Sequence, residues 1–401
     1  MQLTRPLRDQ GIAVVFLLLL GVALTAADSA AVDPTPAADQ PTTELAGNDL
    51  FAPTVQREPG RLVVKLAAYN QTDSGGIEEV DEDASVFETI IFAEKPLTDT
   101  GSLNVRLIGD IVSAASIDRD HNANWNALQS GASGNYRVGA AVGWSEQRGD
   151  LGLHGAISFA KEYAYTSLGL GAGTAYSWND GATNVSADLQ VYADTVQKIR
   201  FNGIDEGDEG RDTYTGTVSL TQFLTPESQL AATVSQTLQD GFLQTSYQSV
   251  FVDGIEQSEE LPDSRSRTSM TLRYKHAIGD RDAIEGGARY YTDDWGVSAT
   301  TAELRYFYHI QEGRILFEPT YRLHLQSEAD YYQPSFSTLP EYRTSDPDLG
   351  DFTGHLIGLK TTFFDRRVFG WRGDIDVTAE YYTRDNGLDM FWLIFGYHMD
   401  L

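Results

Sequence analysis

His121, His154, His276, His309, His324, His355 and His398 stand singly along the chain. No two have the spacing that puts a pair of imidazoles on one metal, and no Gly-x-Ser-x-Gly turn presents a nucleophilic serine. A hydrolytic triad could still be assembled from His, Ser and Asp on different elements, because such triads are spatial. The chain has no cysteine, which removes thiol catalysis, Cys-ligated zinc, iron–sulfur clusters and disulfide frameworks. Oxygen and nitrogen ligands remain. Asp118, Asp120, Asn122 and Asn124 repeat oxygen donors at alternate positions, and calcium is the cation such a set would take. Ala123 occupies the place of the required glycine and Gln129 that of the bidentate glutamate. The default reading is therefore a hydrated Asx-rich loop.

A second set of charged residues lies inside aromatic-rich segments. Arg273 and Lys275, Glu285 and Arg289, Glu303 and Arg305, Glu318 and Arg322, Lys360, and Arg372, Asp374 and Glu380 share the alternate positions of their segments. A spacing of two puts side chains on one face of a β-strand. Between 315 and 325, Glu318, Thr320, Arg322 and His324 oppose Ile315, Phe317, Pro319, Tyr321, Leu323 and Leu325. Facing walls of both signs have two readings. Cross-strand ion pairs would stiffen the wall, and a charged constriction would filter solutes, favouring small polar or zwitterionic ones.

Sixteen segments carry this alternation, over 61–69, 86–95, 103–111, 136–147, 151–163, 166–178, 183–197, 213–224, 229–238, 267–277, 283–292, 295–310, 315–325, 352–364, 371–382 and 390–401. No run after Arg61 is long enough to cross a bilayer as a helix. Short turns rich in Gly, Asp, Asn and Pro alternate with long polar links, which is the rhythm of a transmembrane β-barrel of the outer-membrane type. The fold expected is all-β: about sixteen antiparallel strands, both termini on the periplasmic side and long acidic extracellular loops. A ring of this size is too wide for a filled apolar core, so the polar face must line the interior. Tyr69, Tyr163, Tyr165, Tyr290, Tyr291, Tyr306, Tyr308 and Trp371 fall near strand ends, as interfacial aromatics do.

The 401 residues carry a formal charge of -29, which argues against any nucleic-acid partner because phosphate contacts need clustered Lys and Arg. The acidic excess falls mainly on the long links. Asp73, Glu78, Glu79, Asp81, Glu82 and Asp83 form one such run, which either keeps the surface soluble or attracts divalent cations and cationic solutes. Arg5 and Arg8 precede the apolar run Ile12 to Leu24 and the small residues Thr25, Ala26 and Ala27, the layout of a cleaved secretory signal peptide over 1–27. Residues 28–60 lack apolar periodicity and read as a disordered periplasmic leader. The barrel then covers 61–401. The apolar segment from Ser249 to Ile255 should form a hairpin on a long external loop that caps the barrel, enters its mouth or meets a partner.

The block Arg289-Tyr-Tyr-Thr-Asp-Asp-Trp295-Gly-Val-Ser-Ala, with Glu303 to Tyr308, Pro319 to Arg322 and Ala329 to Tyr332, resembles a family of Gram-negative outer-membrane barrels that carries only a domain-of-unknown-function label. Gly241-Phe-Leu243, Tyr247 and Leu261 to Arg267 resemble its central block. The resemblance implies the barrel fold, outer-membrane lipid and the barrel-assembly machinery as partners, and a neighbourhood of periplasmic redox lipoproteins and FMN transferases. It also implies a covalent flavinylation signal, Asp-x-x-Ser-Gly-Ala-Ser, in the first long loop. Asp110-Ile-Val-Ser113-Ala114-Ala115-Ser116 has Ala114 in place of glycine, and Ser130-Gly131-Ala132-Ser133 has Ala127 in place of aspartate. Neither Ser116 nor Ser133 thus sits in an intact FMN signal, and loop packing is the expected role. The functions that follow are a porin-like channel for small polar solutes, a scaffold for a flavin-linked redox partner, and an outer-membrane hydrolase, in that order.

Overall fold

The computed structural model describes residues 60–73, 84–114, 136–162, 164–246, 248–368 and 370–401. In chain order the first strands are β1 (Arg61–Asp73), β2 (Ala84–Pro96), β3 (Gly101–Ala114), β4 (Tyr136–Arg148), β5 (Leu151–Lys161), β6 (Tyr165–Trp178), β7 (Thr183–Ile199), β8 (Asp205–Thr225) and β9 (Ser228–Gly241). A small hairpin, β10 (Ser249–Val252) and β11 (Ile255–Ser258), follows. The series ends with β12 (Ser264–Ile278), β13 (Asp282–Asp293), β14 (Ser298–Ile310), β15 (Ile315–Gln326), β16 (Phe352–Val368), β17 (Trp371–Arg384) and β18 (Leu388–Asp400).

Sixteen of these strands form one closed antiparallel barrel, and β10 and β11 pair only with each other. Each barrel strand pairs with its sequence neighbours, except that β9 meets β12 across the small hairpin and β1 closes the ring on β18, from Arg61 opposite Asp400 to Asp73 opposite Leu388. Closure leaves no free edge, so the backbone N–H and C=O groups of every strand are satisfied on both sides, the condition for crossing a bilayer with strands.

Burial runs inside out. Outward residues such as Ile157, Leu168, Leu170 and Ile357 are 60–65% exposed, whereas inward Arg106, Asp110 and Asp376 are 2–5% exposed. Leaving a Leu or Ile in water rather than burying it costs about 1.5–3 kcal/mol. Over the outward apolar residues of sixteen strands this sums to roughly tens of kcal/mol, more than the whole stability of a typical domain. A hydrocarbon surround removes that cost.

The turns agree with their residues. Asp253 and Gly254 between β10 and β11 both take positive φ, as a two-residue hairpin with the twist of its strands requires, and Asn179, Asp180 and Gly181 take positive φ in the four-residue turn between β6 and β7. The β7–β8 hairpin extends further than its sequence pattern predicts. Asp205 to Gly210 has no apolar alternation, yet it pairs with Thr195 to Ile199 through the backbone, which needs no side-chain pattern. Trp295, expected within a strand, lies in the link before β14, where Asp293 Oδ1 accepts the Trp295 and Val297 amides at 3.0 Å. The inner wall is also not uniformly polar. Tyr69, Leu356, Tyr382, Met390 and Trp392 pack together on inward positions of β1 and β16–β18, because a wall that meets packed side chains rather than water gains by being apolar.

Candidate functional site in the barrel lumen

All twelve charged residues expected to face the interior occupy inward positions, opposite in parity to the exposed apolar residues of their strands. Antiparallel register brings several into ion pairs. Glu303 on β14 accepts from Arg322 on β15 at 2.7 Å and from Arg305 on its own strand at 3.1 Å. Glu318 faces Lys360 at 3.6 Å, and Glu285 faces Arg273 at 3.9 Å. Lys275 lies 3.6 Å from the centre of the Phe307 ring and Arg289 5.7 Å from that of Tyr291. Glu380 packs against Gly358, where a Cβ would come within 3.0 Å of its Cγ. Arg372 and Asp374 sit at the short-turn end. Arg372 bonds Asp365, and Asp374 Oδ1 accepts the Asp365 amide at 2.8 Å, tying down the bulge where β16 shifts register.

Inward residues of the other strands form further groups that the sequence reading did not single out. His154 meets Asp188 at 2.7 Å over Gly173, where a Cβ would lie 2.3 Å from the carboxylate and 2.4 Å from the imidazole. His398 meets Asp376 at 2.5 Å. Arg137 binds Asp110 at 2.5 Å and Glu88 at 3.3 Å, and Arg211 binds Asp194 at 3.1 Å. Between β8 and β9 the pairs are uncharged: Thr215 with Thr237 at 3.0 Å, Thr217 with Ser235 at 2.8 Å and Ser219 with Thr233 at 3.0 Å. Strand parity alone was enough to find them, since each shares a face with neighbours that oppose exposed apolar residues.

Two links fold onto the mouth from the long-loop side. The segment 242–263, which carries β10 and β11, and the segment 327–351 are joined through paired backbone at Glu260 and Arg343 and through an apolar contact of Val250, Val252 and Phe336. Glu259 is buried between them, accepting from Thr344 Oγ1 at 2.6 Å and from the Thr245 amide at 3.0 Å. Leu243, Leu261, Ala329 and Leu349 then pack on Tyr291, Trp295, Val297 and Ala299. The inward residues Tyr291 and Ala299 belong to the wall, so these links pack against the inside of the mouth.

This cap has anchors on both sides. Ser246 Oγ donates to the Gln197 carbonyl at 2.9 Å, and Arg200, just past β7, meets Glu260 at 3.2 Å. At the other end Arg384 on β17 donates to Asp348 at 2.5 Å, and Gln326 Nε2 donates to the Asp348 and Gly350 carbonyls. In the ring β7 and β17 stand eight positions apart among sixteen, on opposite sides. Burial, with Asp348 and Glu259 nearby, pushes the Asp346 carboxyl well above the usual carboxylate range.

Ser116 and Ser133, the calcium-like Asp118, Asp120, Asn122 and Asn124, and the acidic residues 74–83 lie outside the described residues, as do residues 1–59 with the expected signal peptide and nearly all of the leader. Among the described residues no three or more His, Asp or Glu side chains are grouped to hold a metal.

No curated protein matches the chain. Among solved structures, OccK9 (OpdG) of Pseudomonas aeruginosa is 13% identical, with 86% of this chain and 99% of that one covered and a TM-score of 0.44. A bacterial polysaccharide outer membrane secretin is 9% identical over 86% and 99% of the two chains, with a TM-score of 0.49. A BenF-like porin from Pseudomonas fluorescens Pf-5 is 9% identical over the same shares, with a TM-score of 0.45. Likeness at this level carries nothing about cargo or mechanism. Residues 191–396 match a family described as a protein of unknown function, DUF3570, and include the Arg289 to Ala299 block. By that match over more than half of its length, this closed sixteen-stranded barrel belongs to the DUF3570 family.

Proposed function

We propose that the protein is an outer-membrane channel for small polar solutes, with a lumen of mixed charge narrowed at one mouth by the cap. The observation that carries this reading is the inversion of burial: apolar residues face outward on every side of the ring, while the inward wall carries ion pairs and hydroxyl pairs. An apolar exterior suits lipid, and a wall of hydrogen-bonding groups suits a water-filled path. The side with the short turns and both ends of the barrel faces the periplasm in this reading, and the capped side faces out.

The test is single-channel conductance of the refolded chain in a planar bilayer, with the reversal potential taken across a salt gradient. Stable open steps are expected, with ion selectivity short of ideal for either sign. A barrel that inserts, folds and stays silent at all voltages would overturn the reading.

A further inference from the structure

Three guanidiniums stand together at the capped end of the wall, and two of them have a carboxylate. Arg211 on β8 binds Asp194 at 3.1 Å. Arg265 on β12 binds Asp293 Oδ2 through Nε at 2.9 Å and Nη2 at 2.5 Å, in a pair that is 1% and 0% exposed. Asp293 has little left to offer. Its Oδ2 also accepts the Tyr291 hydroxyl at 2.8 Å, and its Oδ1 accepts the Trp295 and Val297 amides.

Arg267 is the third. It is two residues from Arg265 on the inward face of β12, partly buried, between the neutral Thr237 of β9 and Asp293 of β13, whose carboxylate already serves Arg265. Its Nε is buried without a hydrogen-bond partner among the described residues, and so are Arg265 Nη1 and, across from Arg265, Gln239 Oε1. Both guanidinium nitrogens are donors that no group among the described residues uses. A buried cation is ordinarily paired, because burial removes the water that would otherwise solvate it.

We propose that Arg267, flanked by Arg265, is a binding site for an organic monoanion that presents one carboxylate. The inference rests on an accessible lumen, the channel reading above. The guanidinium fork matches the two oxygens of a carboxylate, and Arg211, Arg265 and Arg267 share only the two carboxylates of Asp194 and Asp293, an excess of one that favours a singly charged group. The site lies beside the cap, with Trp295 stacked under Arg265, its ring centre 4.2 Å from the guanidinium carbon. A solute entering from the capped side therefore meets this residue near the start of its path. Arg267 acts by binding, and no bond is made or broken.

The experiment uses the whole refolded barrel and acetate as the probe, with chloride and phosphate as competing anions and glycerol as a neutral control. Tryptophan fluorescence in detergent is titrated with acetate at constant ionic strength, and a Trp295→Phe variant identifies the reporting ring. The expected result is a saturable change that disappears in W295F and is weakened at least tenfold in Arg267→Gln. Thr237→Glu, which sets a carboxylate opposite an intact Arg267, should weaken it as much and keeps the test available if R267Q does not fold.

In the bilayer, acetate should alter single-channel current in the wild type and leave R267Q unaffected. Saturable fluorescence with a silent barrel would support the site and sink the channel. Stable conductance in which acetate acts equally on wild type, R267Q and T237E would keep the channel and overturn the site. A response to chloride or phosphate stronger than to acetate would also overturn it.

Discussion

At the scale of single residues, the lumen is built on tolerances of a few tenths of an ångström. Gly173 lets His154 and Asp188 meet directly above the strand, and any Cβ there would overlap both. Gly173→Ala should therefore destabilise the barrel by about 1–3 kcal/mol, the usual cost of forcing a methyl into a packed site. Urea unfolding in lipid vesicles would read this. A midpoint equal to wild type would mean that the pair simply moves aside. Gly173 was legible in the sequence only as one of several small residues on β6. What makes it matter is Asp188, fifteen residues on, and that neighbour is set by the register of β7.

At the scale of elements, the cap is a separable unit with two kinds of anchor. Arg384→Ala removes the donor to Asp348 and to the Tyr382 hydroxyl. Proteolysis within 327–351 should then become several-fold faster while the far-UV spectrum of the barrel is unchanged. Unaltered protection would show that the apolar contacts alone hold the segment.

The cap should also respond to pH through Asp346. Its carboxyl is raised by burial, by Asp348 and by Glu259, while Arg384 and the Asp348 amide act the other way, and Tyr332 packs within reach of it. A folded value above the unfolded one means that the neutral form is the one the cap holds. Its stabilising contribution is complete below the ordinary aspartate range and is lost as pH rises through the raised value. Protection of 327–351 from proteolysis should thus be greatest in mild acid and fall toward neutral and alkaline pH. Asp346→Asn should flatten that dependence, and a profile unchanged in D346N would assign the effect to another group. The hairpin at Asp253 and Gly254 was readable from its sequence, but its landing place on Phe336 was not.

At the scale of the whole molecule, the two faces of the wall should answer oppositely to charge. Leu170 is outward and 61% exposed, so Leu170→Arg should cost about 2–4 kcal/mol near the bilayer midplane and reduce insertion into vesicles. Thr217→Arg, on an inward position of β8, should insert normally and shift the reversal potential toward anions. Equal insertion of both variants would contradict the assignment of faces.

The strand number, the alternation of faces and the sorting of short turns from long links were all determined by the sequence alone. Each is a local property: a period of two, a turn residue, a link length. Which charges are matched depends on the tertiary structure, because register sets residues far apart in the chain against each other. Glu259 finds Thr344 eighty-five positions away, Arg265 finds Asp293 twenty-eight away, and Arg267 is left over. Composition cannot show that remainder, since only the register sets Arg265 and Arg267 against the one carboxylate of Asp293.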